Sequence, residues 1–171
     1  MTRVLQAALL MTCSAAAMAG ASSVPTELTP PGGAKLVLKA HATGAQIYTC
    51  KAGTDGTFQW VLKAPDADLH DKKGAVIGHH FAGPTWKHKD GSEVTGKASA
   101  HVDSPDAASI PWLLVSATGH TGDGVFAKVT SIQRINTKGG KPSAASPCDS
   151  SKDGTETRST YSADYYFYAG G

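Results

Sequence analysis

Between Gly78 and Glu93 the chain reads GHHFAGPTWKHKDGSE, which gathers three histidines, a tryptophan and two turn signals into sixteen residues. Imidazoles serve as general bases near neutral pH and as metal ligands, and an indole offers a flat apolar body with one polar edge. His79, His80, His88, Asp90 and Glu93 are all metal donors by type. The segment has no HExxH, however, and the chain no paired CxxC or three-ligand spacing, so neither a metal nor another cofactor is expected. Nucleophilic catalysis finds no support either. There is no G-x-S-x-G elbow, and Ser92 in Asp90-Gly91-Ser92 reads as a turn residue.

Neighbouring side chains on a strand point to opposite faces. With Val76–Phe81 extended, His79 shares a face with Ile77 and Phe81, the apolar side, while His80 lies with Gly78 and Ala82. Those small neighbours leave space around His80, which makes it the better ligand-contacting candidate; a hydrogen-bonded structural histidine is the competing reading. Trp112, in Ile110-Pro111-Trp112-Leu113-Leu114-Val115, is expected in the core. Trp86 follows the Gly83-Pro84 turn beside polar residues and is the better candidate for an exposed, sugar-contacting ring, although packing in the core or turn is the favoured reading for it too. Arg134 is one of two arginines besides Arg3 and could fix an anion through its planar fork or hold a turn through carbonyls. His80, Trp86, Asp90 and Arg134 are therefore the ligand-binding candidates. A hydrolase or lyase would instead use His80 as general base, oriented by a carboxylate such as Asp90 or Asp164.

The elements that must position these residues are β-type. Four Asp-Gly pairs (Asp55-Gly56, Asp90-Gly91, Asp123-Gly124 and Asp153-Gly154) suit tight turns. Between the turns lie strand candidates at Lys35–Ala40, Gln46–Lys51, Phe58–Lys63, Val76–Phe81, Val94–Val102, Trp112–Thr118, Val125–Ile135 and Tyr161–Tyr168, and no long 3.6-residue apolar period competes with them. The expected architecture is all-β, a single-domain sandwich or barrel of short antiparallel strands with long loops and one disulfide. Lys138 to Arg158, nearly devoid of apolar residues, is expected to be a loop that Cys148 staples onto the strand ending at Cys50.

Residues 1–19 read as a signal peptide: Arg3 begins it, an apolar stretch from Val4 follows, and Ala17-Met18-Ala19 supplies a cleavage site. The apolar run is too short to span about 30 Å of hydrocarbon, so no transmembrane segment is expected after cleavage. Residues 20–34 form a Ser/Pro/Gly-rich extended leader, and residues 35–171 a single β domain. Export, to a periplasm or beyond the cell, leaves Cys50 and Cys148 with one intramolecular pairing, and a structural disulfide outweighs a reactive or metal-binding pair. The net charge of +2 falls to +1 without Arg3, which excludes the basic field that nucleic acid requires.

Several blocks in this order resemble one family: Gln46-Ile47-Tyr48-Thr49-Cys50, His80-Phe81-Ala82-Gly83-Pro84-Thr85-Trp86 with Asp90-Gly91-Ser92, and Pro111-Trp112-Leu113-Leu114. Ile132-Gln133-Arg134 with Asn136-Thr137 and Gly139-Gly140, then Cys148, then Ala163-Asp164-Tyr165-Tyr166-Phe167-Tyr168 complete the set. On these the chain is similar to the domain of unknown function 3455 family of exported bacterial and fungal proteins, over nearly all residues from Val24 onward. The resemblance implies export and singles out His80 over His79, but implies no activity. Some fungal members carry a malate-dehydrogenase label, which this chain does not support, because no GxGxxG follows a strand and no βαβ alternation occurs. The expected function is a non-catalytic binding module for a small molecule, glycan or protein surface, with the hydrolase or lyase as the alternative.

Overall fold

In the computed structural model, which describes residues 23–171, eight antiparallel strands follow one another around a closed barrel, and the last pairs with the first. The strands are β1 (Lys35–Ala52), β2 (Phe58–His70), β3 (Val76–Phe81), β4 (Thr85–His88), β5 (Glu93–Val102), β6 (Trp112–Thr121), β7 (Val129–Gly139) and β8 (Glu156–Ala169). The barrel resolves the sandwich-or-barrel alternative. Segment 1–19 and Cys13 lie outside the described residues. No helix among the described residues is long and apolar enough to cross a membrane.

The connectivity sorts the turns by end. Connections 53–57, 82–84, 103–111 and 140–155 lie at one mouth of the barrel, here the upper; connections 71–75, 89–92 and 122–128 lie at the lower. Cys50 and Cys148 are disulfide-bonded across 98 residues, fixing the 140–155 connection to the upper end of β1. Backbone bonds from Gly154 to the Cys50 carbonyl and from Cys50 to the Thr155 carbonyl join the same two segments.

Only β3 has the bounds expected from sequence; β4 was not expected, β5 to β8 differ at one or both ends, and the largest differences are in β1 and β2. Lys35–Ala40 and Gln46–Lys51 are one continuous β1, because Gly44 lets it approach β2 closely: a Cβ there would lie 2.2 Å from the Asp66 carbonyl oxygen. β2 continues through Pro65, where only β1 is paired and the missing N–H is harmless, since the β2–β3 ladder spans Ala67 to His70.

Inside, strict alternation fills the lumen. On β8, Tyr161, Ala163, Tyr165 and Phe167 are buried while Ser162, Asp164, Tyr166 and Tyr168 face outward or sideways. A column of rings runs up the barrel: Phe126 on Phe167 (4.6 Å between centroids), Phe167 on Trp86 (6.4 Å), then Trp86 against Tyr165 and His80. Each such ring buries roughly 150–250 Å², so these side chains supply much of the apolar burial. Outside, ion pairs such as Lys87–Glu93 (2.8 Å) and Arg158–Asp66 (2.6 Å) bridge strands.

The leader is not simply extended. Thr26–Leu28 form a 3-10 turn, and Leu28 is fully buried against the outer wall with Trp112 and Ile135. The Gln133 side-chain amide donates to the Leu28 carbonyl at 2.6 Å, and Gln133 in turn accepts from the Tyr168 hydroxyl at 2.8 Å.

Candidate functional site

The face argument for β3 needs a correction with a useful outcome. Leu69 pairs with Gly78 and His70 with Val76, so Ile77 is the extra residue of a β-bulge. A bulge turns two successive side chains toward one side. Ile77 therefore enters the core with the face that carries His80, and His79 and Phe81 point outward. His79 is not on an apolar side: its Nε2 lies 2.9 Å from Asp66 and its Nδ1 3.0 Å from Asp68 on the outer wall.

His80 is enclosed instead of open. It is only 3% exposed, and its ring lies flat on the Trp86 indole, 4.2 Å between centroids and 7° from parallel. Trp86 is itself 2% exposed, which removes the exposed-ring alternative, because β4 sets it directly opposite His80 on the inner face. Gly96 makes room for that indole; a Cβ there would sit 2.5 Å from Val115 Cγ1 and 3.5 Å from the Trp86 ring. The His80 Nδ1–H donates to the Thr85 carbonyl at 2.9 Å, and a carbonyl only accepts. The proton is thus on Nδ1, and Nε2 carries the lone pair. Burial holds the imidazolium pKa down to about 3; the Thr85 carbonyl works against the shift and the charge of Arg134 adds to it.

Arg134 comes from β7 and shares its face with Ile132, opposite Leu113 on β6 and Tyr165 on β8. Its Nε and Nη2 both donate to the Pro111 carbonyl, at 3.2 and 2.9 Å. This occupies the side edge of the guanidinium, and the Nη1/Nη2 edge has no hydrogen-bond partner among the described residues. Among the described residues, which include every Asp and Glu of the chain, Arg134 forms no ion pair.

His80, Trp86 and Arg134 meet at one recess of about 70 Å³, walled further by Tyr165, Leu113 and Pro84. Pro84 belongs to a connection of the upper mouth, so the recess lies toward that end. Tyr165 was not among the sequence candidates. It touches the rings of both His80 (5.4 Å) and Trp86 (5.8 Å), and its signal was the two-residue aromatic period of β8. Four buried side-chain polar atoms have no hydrogen-bond partner among the described residues: Gln46 Nε2, Trp112 Nε1, Ser131 Oγ and Trp86 Nε1. The last is on the Trp86 side chain that lines this recess.

The two carboxylates stand elsewhere. Asp90 is at the lower mouth, where it accepts from Ser92 N–H (2.9 Å), Ser92 hydroxyl (2.6 Å) and Val125 N–H (2.8 Å). Those bonds, the Ser92 hydroxyl first, hold its carboxyl well below the usual carboxylate range. Asp164 is on the outer wall, 2.8 Å from His41 Nδ1 and accepting from Asn136 Nδ2 at 2.8 Å. Neither is hydrogen-bonded to His80, whose one polar partner among the described residues is the Thr85 carbonyl.

Residues 30–169 match the family described as "Protein of unknown function (DUF3455)". The chain belongs to this family. No curated protein and no solved structure matches it. The recess of this DUF3455 member is thus built from blocks that run through the matched region: His80 and Trp86 from one, Arg134 from another, Tyr165 from the last.

Proposed function

We propose that the protein is a non-catalytic module of an extracytoplasmic compartment that binds a small molecule at the upper mouth of its barrel. One observation carries this reading: His80, Trp86, Arg134 and Tyr165, drawn from four strands, converge on a single recess in a lumen otherwise packed with apolar side chains. Small-molecule sites combine apolar and aromatic walls with a few placed polar groups, and the barrel mouth is a usual location. The Cys50–Cys148 disulfide supports an oxidising compartment. Binding is favoured over hydrolase or lyase chemistry because His80 is held neutral by burial, carries its proton toward a carbonyl and lacks an orienting carboxylate.

A ligand screen by thermal shift tests the reading, run on the oxidised protein with metabolites, oligosaccharides and small anions. His80→Gln and Trp86→Phe are run alongside. A stabilising compound whose effect is lost in either folded variant supports the site. Compounds that stabilise both variants as they do the wild type would place binding elsewhere and end the proposal.

A further inference from the structure

We infer that the recess binds a small monocarboxylate, clamped by the Nη1/Nη2 edge of Arg134, with its apolar portion against Trp86 and Tyr165. The inference rests on the binding reading above and adds the ligand class.

Three features of the same cavity point to it. A guanidinium has five N–H donors in a rigid fork, and Arg134 spends two of them on the Pro111 carbonyl. The remaining Nη1/Nη2 edge presents two parallel N–H bonds, the spacing that matches the two oxygens of a carboxylate. Its charge is unanswered. Arg134 is only partly exposed, and a charge withdrawn from water is costly unless paired. Among the described residues no carboxylate pairs with it, although every acidic residue is described.

The second feature is aromatic. The Trp86 ring is part of the same wall, against Tyr165, and offers apolar surface to the body of the ligand. The third feature is electrostatic. His80 is neutral, so the recess offers one positive charge and not two. A single charge among Ala98, Leu113 and Val115 suits a monoanion with an apolar body and does not suit a dianionic phosphate. The volume, about 70 Å³, admits a head of a few heavy atoms.

Two-dimensional NMR of the three tryptophan indole N–H groups reads the site directly. The Trp86 signal is assigned with Trp86→Phe, and the oxidised wild-type protein is titrated with sodium propionate and sodium benzoate. Sodium chloride at matched ionic strength, sodium phosphate and glucose are titrated in parallel. The expected result is a saturable shift of the Trp86 indole with propionate or benzoate and none with chloride, weakened at least about tenfold in Arg134→Gln. Arg134→Lys, which keeps the charge and loses the fork, is also expected to weaken it. Phosphate acting as strongly as propionate overturns the carboxylate assignment. Glucose moving the indole while propionate does not overturns it too, yet leaves small-molecule binding standing. Silence from every probe at the indole removes this inference, and the thermal-shift screen then decides the broader reading independently. Should Arg134→Gln not fold, the contrast between propionate, chloride and phosphate in the wild type is sufficient to decide.

Discussion

The imidazole of His80 and the indole of Trp86 are stacked face to face, 4.2 Å apart, in the interior of the barrel. They are direct cross-strand partners on β3 and β4, so a three-residue turn at 82–84 brings two adjacent inward positions together. The stack gives a rigid wall to the recess and removes His80 from water, and both consequences can be measured.

The depressed His80 pKa makes stability depend on pH in a defined direction. The unfolded imidazole takes up a proton near 6.5, while the folded one does so only near 3. Between these values the unfolded state binds the extra proton, so stability is full above about pH 6.5 and falls as pH drops toward 3, with a limiting slope of about 1.4 kcal/mol per pH unit. Urea unfolding at pH 5 and pH 7 should show a smaller loss for His80→Gln than for the wild type. Equal losses in the two proteins would contradict a buried, neutral His80.

Asp90 should behave as a structural residue. Its carboxylate ties the β4–β5 turn to the Val125 N–H, and the Ser92 hydroxyl it orients accepts from the Phe126 N–H at 3.1 Å, seating Phe126 in the lower mouth. Asp90→Ala is expected to cost about 1.5–3 kcal/mol, the range for hydrogen bonds to a charged group. Ligand affinity at the upper recess should be unchanged. A variant with normal stability and lost binding would return Asp90 to the site.

Much of this was legible beforehand, and the misses have physical causes. Val76–Phe81 is a strand with the bounds its turn signals set, and the all-β class with a Cys50–Cys148 bridge followed from composition and cysteine arithmetic. His80, Trp86 and Arg134 were recognised as residue types suited to a ligand, and the barrel brings the three together. What local pattern could not supply was curvature. The bulge at Ile77 reverses which neighbours His79 keeps, and Lys87 and His88 lent Trp86 a solvent-facing alternative although its own side points inward. Asp90 and Asp164 were matched to His80 by residue type alone; their positions depend on strand register around the closed sheet.

Close packing at Gly96 predicts a specific sensitivity. Val115 Cγ1 would be 2.5 Å from an added Cβ and the Ser116 carbonyl oxygen 3.1 Å, and β-branched Val115 has little rotamer freedom to yield. Gly96→Ala is expected to destabilise by about 1–3 kcal/mol and to perturb Trp86 fluorescence. An unchanged melting temperature with unchanged emission would show that β5 and β6 are looser there than described.

Reducing the disulfide should weaken the whole barrel. Closing a loop of about 100 residues is worth about 4.7 kcal/mol in the chain-entropy model, and the 98-residue span of Cys50–Cys148 falls at that length. The double variant Cys50→Ser/Cys148→Ser should therefore unfold at a distinctly lower urea concentration, while reductant should have no further effect on it. A reductant effect that persisted in the double variant would assign the loss to another cause.

The docked leader supplies the last test. Leu28 is fully buried between Trp112 and Ile135, and the Gln133 amide, itself held by the Tyr168 hydroxyl, anchors its carbonyl. Removing a buried leucine side chain typically costs about 2–5 kcal/mol. Leu28→Ala should thus fall well below the wild type in urea midpoint, whereas Val24→Ala, at a position 39% exposed, should match it. Because Leu28 covers the outer wall and Arg134 faces the lumen, the loss should be one of stability alone, leaving propionate affinity at the recess intact in the folded protein. If Leu28→Ala proved neutral, the segment before β1 would be a loosely held leader after all, and the apolar strip of Trp112, Leu114 and Ile135 would be a solvent-facing surface of the barrel.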